Sequence, residues 1–261
     1  MRLYPDGYRC QYPTAERYCV TSTSRSTRRR DIVLLAIAVV VAAVLVGALV
    51  LGTTGDGEQS EAAPVAGSSS ASGPPVMGPL GDLAHRVTDD PMALGDVDAP
   101  VVMIAFSDFR CPFCAQFSRD TEPRLIDRYV DTGTLRIEWR DLPIFGQQSF
   151  DAARAGRAAA AQGKFWEFTR AVYADAPETG HADLTLETLQ SYAQQAGVPD
   201  MARFTADATG TAFDAAITAD STEAQSLGIP ATPAFSVNGD PVLGAQPFSE
   251  FVDLVDAAAG A

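Results

Sequence analysis

Two cysteines separated by two residues are the side chains of this sequence with the clearest chemical potential. Cys111 and Cys114 enclose Pro112 and Phe113, and they follow the apolar run Val101–Phe106. The run predicts a buried strand and the residues after it predict a helix, so Cys111 should stand at the helix N-terminus. Unpaired backbone N–H groups and the positive end of the helix dipole favour a thiolate there. We therefore expect a lowered pKa for the Cys111 thiol.

The spacing of this pair predicts thiol–disulfide exchange. Two cysteines one helical turn apart are close enough for their sulfur atoms to form a disulfide. Cys114 lies one turn deeper and should be shielded. Pro112 falls in the first helical turn, where its missing N–H costs nothing. A thiolate at Cys111 stabilises the reduced pair, which makes the disulfide a stronger oxidant and Cys111 a better leaving group.

Other roles for the cysteines fit the sequence less well. A structural disulfide across a four-residue loop would constrain the chain little. A zinc site would need more ligands, and His85 and His181 are the only histidines of the chain. Cys10 and Cys19 are too far apart for a zinc spacing and are interpreted as incidental thiols. The sequence thus predicts no metal and no cofactor beyond a redox-active Cys111–Cys114 disulfide.

An uncharged apolar run at 32–51 predicts a transmembrane signal anchor. At 1.5 Å per residue, its twenty residues span about 30 Å, the thickness of a bilayer core. Four arginines between Arg25 and Arg30 precede the run, so the N-terminus is expected in the cytoplasm and the rest of the chain outside. The alternative, a cleaved signal peptide, usually has an apolar core of only about 7–15 residues. Residues 1–31 then form a disordered cytoplasmic tail, and residues 52–79 form a flexible Gly/Ser/Pro linker.

The charge distribution bears on possible partners. The net charge is −14, although seven of the 19 basic residues lie within residues 1–30. The rest of the chain is therefore more acidic than the total suggests. Such a surface repels phosphate backbones, so we expect no nucleic-acid partner.

Residues 80–261 predict one α/β domain. The elements expected after the first strand are a helix from Cys111 to about Val130 kinked at Pro123, a strand over 134–142, a helical block over about 147–228, a type I′ hairpin at Asn238-Gly239 and a helix from Pro247. A strand leading into a helix that opens with Cys-x-x-Cys indicates a thioredoxin-like redox unit. The expected fold is thioredoxin-like, with an inserted helical subdomain and a single transmembrane helix before it.

At these residues the chain resembles the DsbA-like family of thiol–disulfide oxidoreductases, in a membrane-anchored form. The segments FSDFRCPFC, DLPIFGQQS, AQGKFWEF, SLGIPATPAFSVNG and GAQPF occur in the family's order within residues 90–258. The resemblance implies that Cys111 is the nucleophile and Cys114 its buried partner. It also implies that Thr232 and Pro233 form the substrate-binding loop, with a cis proline opposite the cysteine pair.

Two positions depart from the family's pattern. Phe113 stands where the enteric DsbA has histidine, and it cannot donate a hydrogen bond to a thiolate, so Pro112 and Phe113 should tune the pair to a weaker oxidising strength. Ala105 occupies the position of the buried acid of thioredoxins, six residues before Cys111. Asp108, three residues before Cys111, is interpreted as a loop acid.

The expected function is a membrane-tethered extracytoplasmic oxidase that introduces disulfides into unfolded or reduced exported proteins. The resemblance implies reoxidation by a membrane partner of the VKOR or DsbB kind. A disulfide isomerase or reductase of the same fold, kept reduced by an electron donor, is the first alternative. The second is a non-catalytic membrane-tethered binding or chaperone module, against which the intact cysteine pair argues.

Overall fold

The computed structural model describes residues 77–260, which are built around a five-stranded sheet. The strands are β1 (Ala93–Leu94), β2 (Val101–Ser107), β3 (Leu135–Asp141), β4 (Ala234–Val237) and β5 (Asp240–Leu243). Their spatial order is β1-β3-β2-β4-β5. β2 and β3 are parallel, and the other neighbouring pairs are antiparallel. Every residue of β2 and β3 is buried, as is typical of central strands covered on both faces.

Eight helices accompany the sheet within the described residues. They are α1 (Pro112–Asp120), α2 (Glu122–Leu125), α3 (Gln147–Ala160), α4 (Phe165–Ala174), α5 (Leu186–Gln195), α6 (Met201–Thr209), α7 (Asp214–Ser226) and α8 (Phe248–Ala259). A π-helical turn, Ile126–Val130, continues α2. Because α3 to α7 all lie between β3 and β4, the predicted thioredoxin-like α/β fold with a helical insertion is confirmed.

The two faces of β2 contribute to two separate cores. Successive side chains of a strand point to opposite faces. The larger core includes Val101, Met103 and Ala105 together with the cysteine pair and most buried aromatic side chains. The smaller core includes Val102, Ile104 and Phe106 together with Ala224 of α7. The strand that leads to Cys111 is therefore held by apolar packing on both sides.

The first predicted helix is interrupted near the predicted kink. α1 ends at Asp120 and α2 begins at Glu122, one residue before Pro123. Proline has no N–H to donate, and its ring clashes with the carbonyl group four residues earlier. The break carries Glu122 into the interior, where it is 4% exposed.

Within the predicted helical block, α6 begins at Met201, because the Asp200 carboxylate accepts a hydrogen bond from the backbone N–H of Arg203 at 2.9 Å and caps the helix. β1 was not predicted. Its two residues are too short for any periodicity, and its pairing with β3 creates it.

The predicted hairpin at Asn238-Gly239 is confirmed. Both residues have positive φ angles, 45° and 89°, as a type I′ turn requires. The Asn238 side chain also accepts a hydrogen bond from the Val102 N–H at 2.8 Å and donates one to the Pro100 carbonyl at 3.1 Å. The turn is thus fastened to the start of β2.

The predicted tail (1–31) and transmembrane helix (32–51) lie outside the described residues, as does the predicted linker (52–79) except for its last three residues. Among residues 77–260, no helix has both the length and the apolar character needed to cross a membrane.

Candidate active site

The junction of β2 and α1 positions the cysteine pair. Cys111 is the N-cap of α1, with extended backbone angles (φ −78°, ψ 120°), and Pro112 begins the helix. Both cysteines are free thiols, and each is only 1% exposed. The shielding predicted for Cys114 therefore extends to Cys111 as well, because the loop before β4 packs over it. Phe113 is 57% exposed and is the solvent-facing residue of the motif.

The loop before β4 faces the sulfur of Cys111. The Thr232–Pro233 peptide bond is cis. In its protonated form, the Cys111 thiol donates a hydrogen bond to the Thr232 carbonyl oxygen at 3.2 Å. The Thr232 hydroxyl is buried and has no hydrogen-bond partner among the described residues. The structure therefore brings together the Cys-x-x-Cys motif and the Thr232-Pro233 loop, which the resemblance placed opposite each other.

The two thiols have opposite acidities. A hydrogen bond from Cys114 lowers the pKa of Cys111 from 9.0 to about 6, against the opposing effect of burial. The backbone N–H groups of Cys114 and Phe113 lower this pKa further. Burial raises the pKa of Cys114 well above 9.0, and the neighbouring Cys111 adds to that effect. At neutral pH, Cys111 is therefore mainly a thiolate and Cys114 a thiol.

Hydrogen bonds of Asp108 and Arg110, shortly before Cys111, connect the active-site loop to the rest of the domain. The buried Asp108 carboxylate accepts hydrogen bonds from the backbone N–H groups of Arg110 at 2.8 Å and Ile144 at 2.7 Å. Burial raises the pKa of Asp108. Arg110 donates through Nε to the Ala182 carbonyl at 2.8 Å. Asp108 is thus a loop acid, as interpreted from the sequence, but a buried one, and the part played by Arg110 was not predicted.

A small cavity of about 10 Å³ lies beside Cys114, on the inner side of α1. Its polar lining includes Ser118, Glu122, Trp166 and Tyr173. Burial raises the pKa of Glu122 to about 7. Glu122 was not among the site residues predicted from the sequence. The available signal was the four-residue spacing of positions 114, 118 and 122, which places them on one helical face.

The residues 77–260 contain no group of three or more His, Cys, Asp or Glu side chains arranged to hold a metal ion. The histidines make other contacts. The His85 backbone N–H donates to the Glu138 carboxylate at 3.0 Å, and the His181 ring stacks on Phe145 with centroids 4.1 Å apart.

Comparison with known proteins agrees with this geometry. A family model described as thioredoxin matches residues 87–257. A probable disulfide bond formation protein D from Bacillus cereus is 31% identical over 152 residues, which cover 57% of this chain and 70% of that relative. The chain belongs to the DsbA-like family of the thioredoxin superfamily. As a member of this family, the protein is a thiol–disulfide oxidoreductase. DsbA-like proteins of the thioredoxin fold use redox-active cysteines.

Solved structures of DsbA-like proteins show the same architecture. BdbD from Bacillus subtilis, in its oxidised form, superposes with a TM-score of 0.63 over 72% of this chain and 100% of its own, at 22% identity. The alpha-DsbA1 of Wolbachia pipientis superposes with a TM-score of 0.57 over 65% of this chain and 90% of its own, at 25% identity. The similarity to BdbD, at that identity, supports the fold alone.

Proposed function

We propose that this DsbA-like protein is a membrane-tethered oxidase that introduces disulfides into exported proteins through Cys111 and Cys114. A substrate thiolate attacks the Cys111 sulfur of the oxidised pair, the Cys111–Cys114 bond breaks, and Cys114 leaves. A second substrate thiolate then attacks the substrate sulfur of the mixed disulfide. The substrate disulfide forms, and Cys111 leaves as a thiolate.

The observation that carries this proposal is the stabilised thiolate at the start of α1. Because Cys111 has a pKa of about 6, it leaves readily in the second step. The same interactions stabilise the reduced pair in the folded protein, so the disulfide is a stronger oxidant than one between ordinary thiols. Exchange needs no bound cofactor beyond this pair.

The equilibrium of the cysteine pair with glutathione tests the direction of the reaction. We expect a reduction potential between those of disulfide isomerase (about −180 mV) and DsbA (about −120 mV). Phe113 sets the upper limit because it offers no hydrogen bond to the thiolate. The measurement is the reduced fraction of the pair in glutathione buffers of defined ratio. A potential near that of thioredoxin, about −270 mV, would instead support a reductase.

The substrate site in this proposal is the loop of Thr232 and Pro233. The Thr232 carbonyl oxygen lies 3.2 Å from the Cys111 sulfur, so a substrate chain bound at that backbone would lie beside the sulfur that it attacks. The proposed substrates are reduced or unfolded exported proteins. A membrane partner of the VKOR or DsbB kind would restore the disulfide after each cycle.

The proposed tether is the apolar segment 32–51, with the catalytic domain on the outer side of the cell membrane. The arginines before the segment favour a cytoplasmic N-terminus. Protease added to intact protoplasts should remove the domain that contains Cys111, while a cytoplasmic control protein survives. Full protection of the domain until the cells are lysed would contradict this topology.

A further inference from the structure

Glu122 is a buried carboxyl group in the lining of the cavity that also contacts Cys114. It is 4% exposed. A carboxylate held in an apolar interior is costly unless it has a partner or a proton. The active-site loop does not use this group, since the hydrogen bonds that organise that loop belong to Asp108 and Arg110.

The cavity has the size and the polar groups needed for one water molecule. A volume of about 10 Å³ corresponds to roughly one water-sized probe. The Trp166 indole N–H is buried and has no hydrogen-bond partner in the described chain. An unpaired buried donor costs about 1–3 kcal/mol, so a partner such as water is expected there. The hydroxyl groups of Ser107 and Ser118 also belong to residues lining the cavity.

We propose that Glu122 exchanges a proton with the Cys114 sulfur through a water molecule held in this cavity. The inference rests on the proposed role of the cysteine pair in disulfide exchange. The buried Cys114 thiol must lose its proton before it can attack, and its thiolate must regain a proton when it leaves. Glu122 and the water would provide the route for both transfers.

The proton moves in opposite directions when the Cys111–Cys114 disulfide forms and when it opens. When Cys114 resolves a mixed disulfide at Cys111, its thiol gives a proton to the Glu122 carboxylate by way of the water. The Cys114 thiolate then attacks the Cys111 sulfur, the Cys111–Cys114 bond forms, and the other partner leaves as a thiolate. When a substrate thiolate opens the Cys111–Cys114 disulfide, Cys114 leaves as a thiolate and takes the proton from the protonated Glu122.

The surroundings of Glu122 suit this exchange. Burial raises its pKa to about 7, while the charge of Arg170 on α4 and a hydrogen bond from Ser118 on α1 act in the opposite direction. Tyr173 on α4, whose pKa burial raises well above 10.0, is neutral there. Ala105 on β2 adds no charge to the cavity. Near neutral pH both forms of Glu122 are populated, which is the condition for proton transfer in either direction.

The test follows the two steps of oxidation separately in the full-length protein. Reduced protein is mixed with oxidised glutathione, quenched with acid and analysed by mass spectrometry. For Glu122→Gln we expect the mixed disulfide at Cys111 to form at the wild-type rate and to decay at least about tenfold more slowly at pH 7. The wild-type decay rate should rise with pH around 7, and the variant should lose this dependence. Asp120→Asn, which removes an exposed carboxylate from α1, should match the wild type.

The outcomes separate this inference from the proposed function. Unchanged decay in Glu122→Gln, or equal slowing of formation and decay, overturns the proton route and leaves the role of Cys111 intact. Failure of the wild-type protein to form a mixed disulfide at Cys111 overturns both. If Glu122→Gln does not fold, Trp166→Phe gives the same test, because it removes the N–H expected to hold the water. In that variant, slowed decay with normal formation supports the route, and normal decay overturns it.

Discussion

Replacing Cys111 by serine should reduce the rate of disulfide exchange by about a thousandfold or more, because it removes the nucleophile. Cys111 is the thiol with the low pKa, whereas Cys114 is held protonated by burial. The thiolate is the reactive form of cysteine, so alkylation of the reduced protein near pH 6 should label Cys111 first. The exchange rate can be followed with oxidised glutathione and with a reduced, unfolded protein substrate.

Replacing Cys114 by serine should have the opposite consequence for intermediates. Without the resolving thiol, mixed disulfides through Cys111 should accumulate in Cys114→Ser and be nearly absent in Cys111→Ser. In the trapped complex, the backbone around Thr232 should exchange its amide hydrogens more slowly if it binds substrate. Cys10→Ser and Cys19→Ser serve as matched controls and should behave as the wild type. Preferential trapping through Cys114 would reverse the assignment of the two cysteines.

Raising the pH from 6 to 8 should stabilise the reduced protein relative to the oxidised protein by about 2 kcal/mol. The pKa of Cys111 is about 6 in the folded state and 9.0 in the ordinary state. A depressed folded-state pKa contributes stability above the unfolded-state pKa, and this stability is lost as the pH falls through the folded-state pKa. The contribution to the free energy of unfolding is about 1 kcal/mol at pH 7 and about 3 kcal/mol at pH 8.

The opposing contribution is the cross-link in the oxidised protein. Closing a four-residue loop stabilises the folded state by about 2 kcal/mol in the chain-entropy account. The oxidised form should therefore be the more stable at pH 6, and the reduced form at pH 8. Thermal melts with and without reductant measure this, and the Tm difference should change by about 4–8 °C between the two pH values.

When the two redox states are compared at the same pH, groups that titrate in both states, such as Glu122, contribute equally to their stability and cancel in the Tm difference. As a control, Cys111→Ser under reducing conditions should lack the part of the pH dependence that the reduced wild type owes to this thiol. A Tm difference between the two redox states that stays constant from pH 6 to pH 8 would show that the thiolate is not stabilised by the folded structure.

Local features of the sequence determined the elements that carry the chemistry. A continuous apolar strand, a Cys-x-x-Cys at its end and a proline in the first turn specify a strand leading into a helix with Cys111 at its N-terminus. Asn238-Gly239 specifies the hairpin for a similar reason, since both residues tolerate positive φ. These predictions succeeded because each depends on backbone preferences within a few neighbouring residues.

Tertiary packing decided the environment in which that chemistry takes place. The burial of Cys111 and its hydrogen bond to Thr232 join positions 121 residues apart, and no local pattern contains that contact. The entry of Glu122 into the interior depends on a helix break and on the packing of α4 against α1. The sequence determines which residues are charged and how they are spaced. Burial raises the pKa values of Cys114 and Glu122, and it arises only when elements distant in the sequence pack together and exclude water.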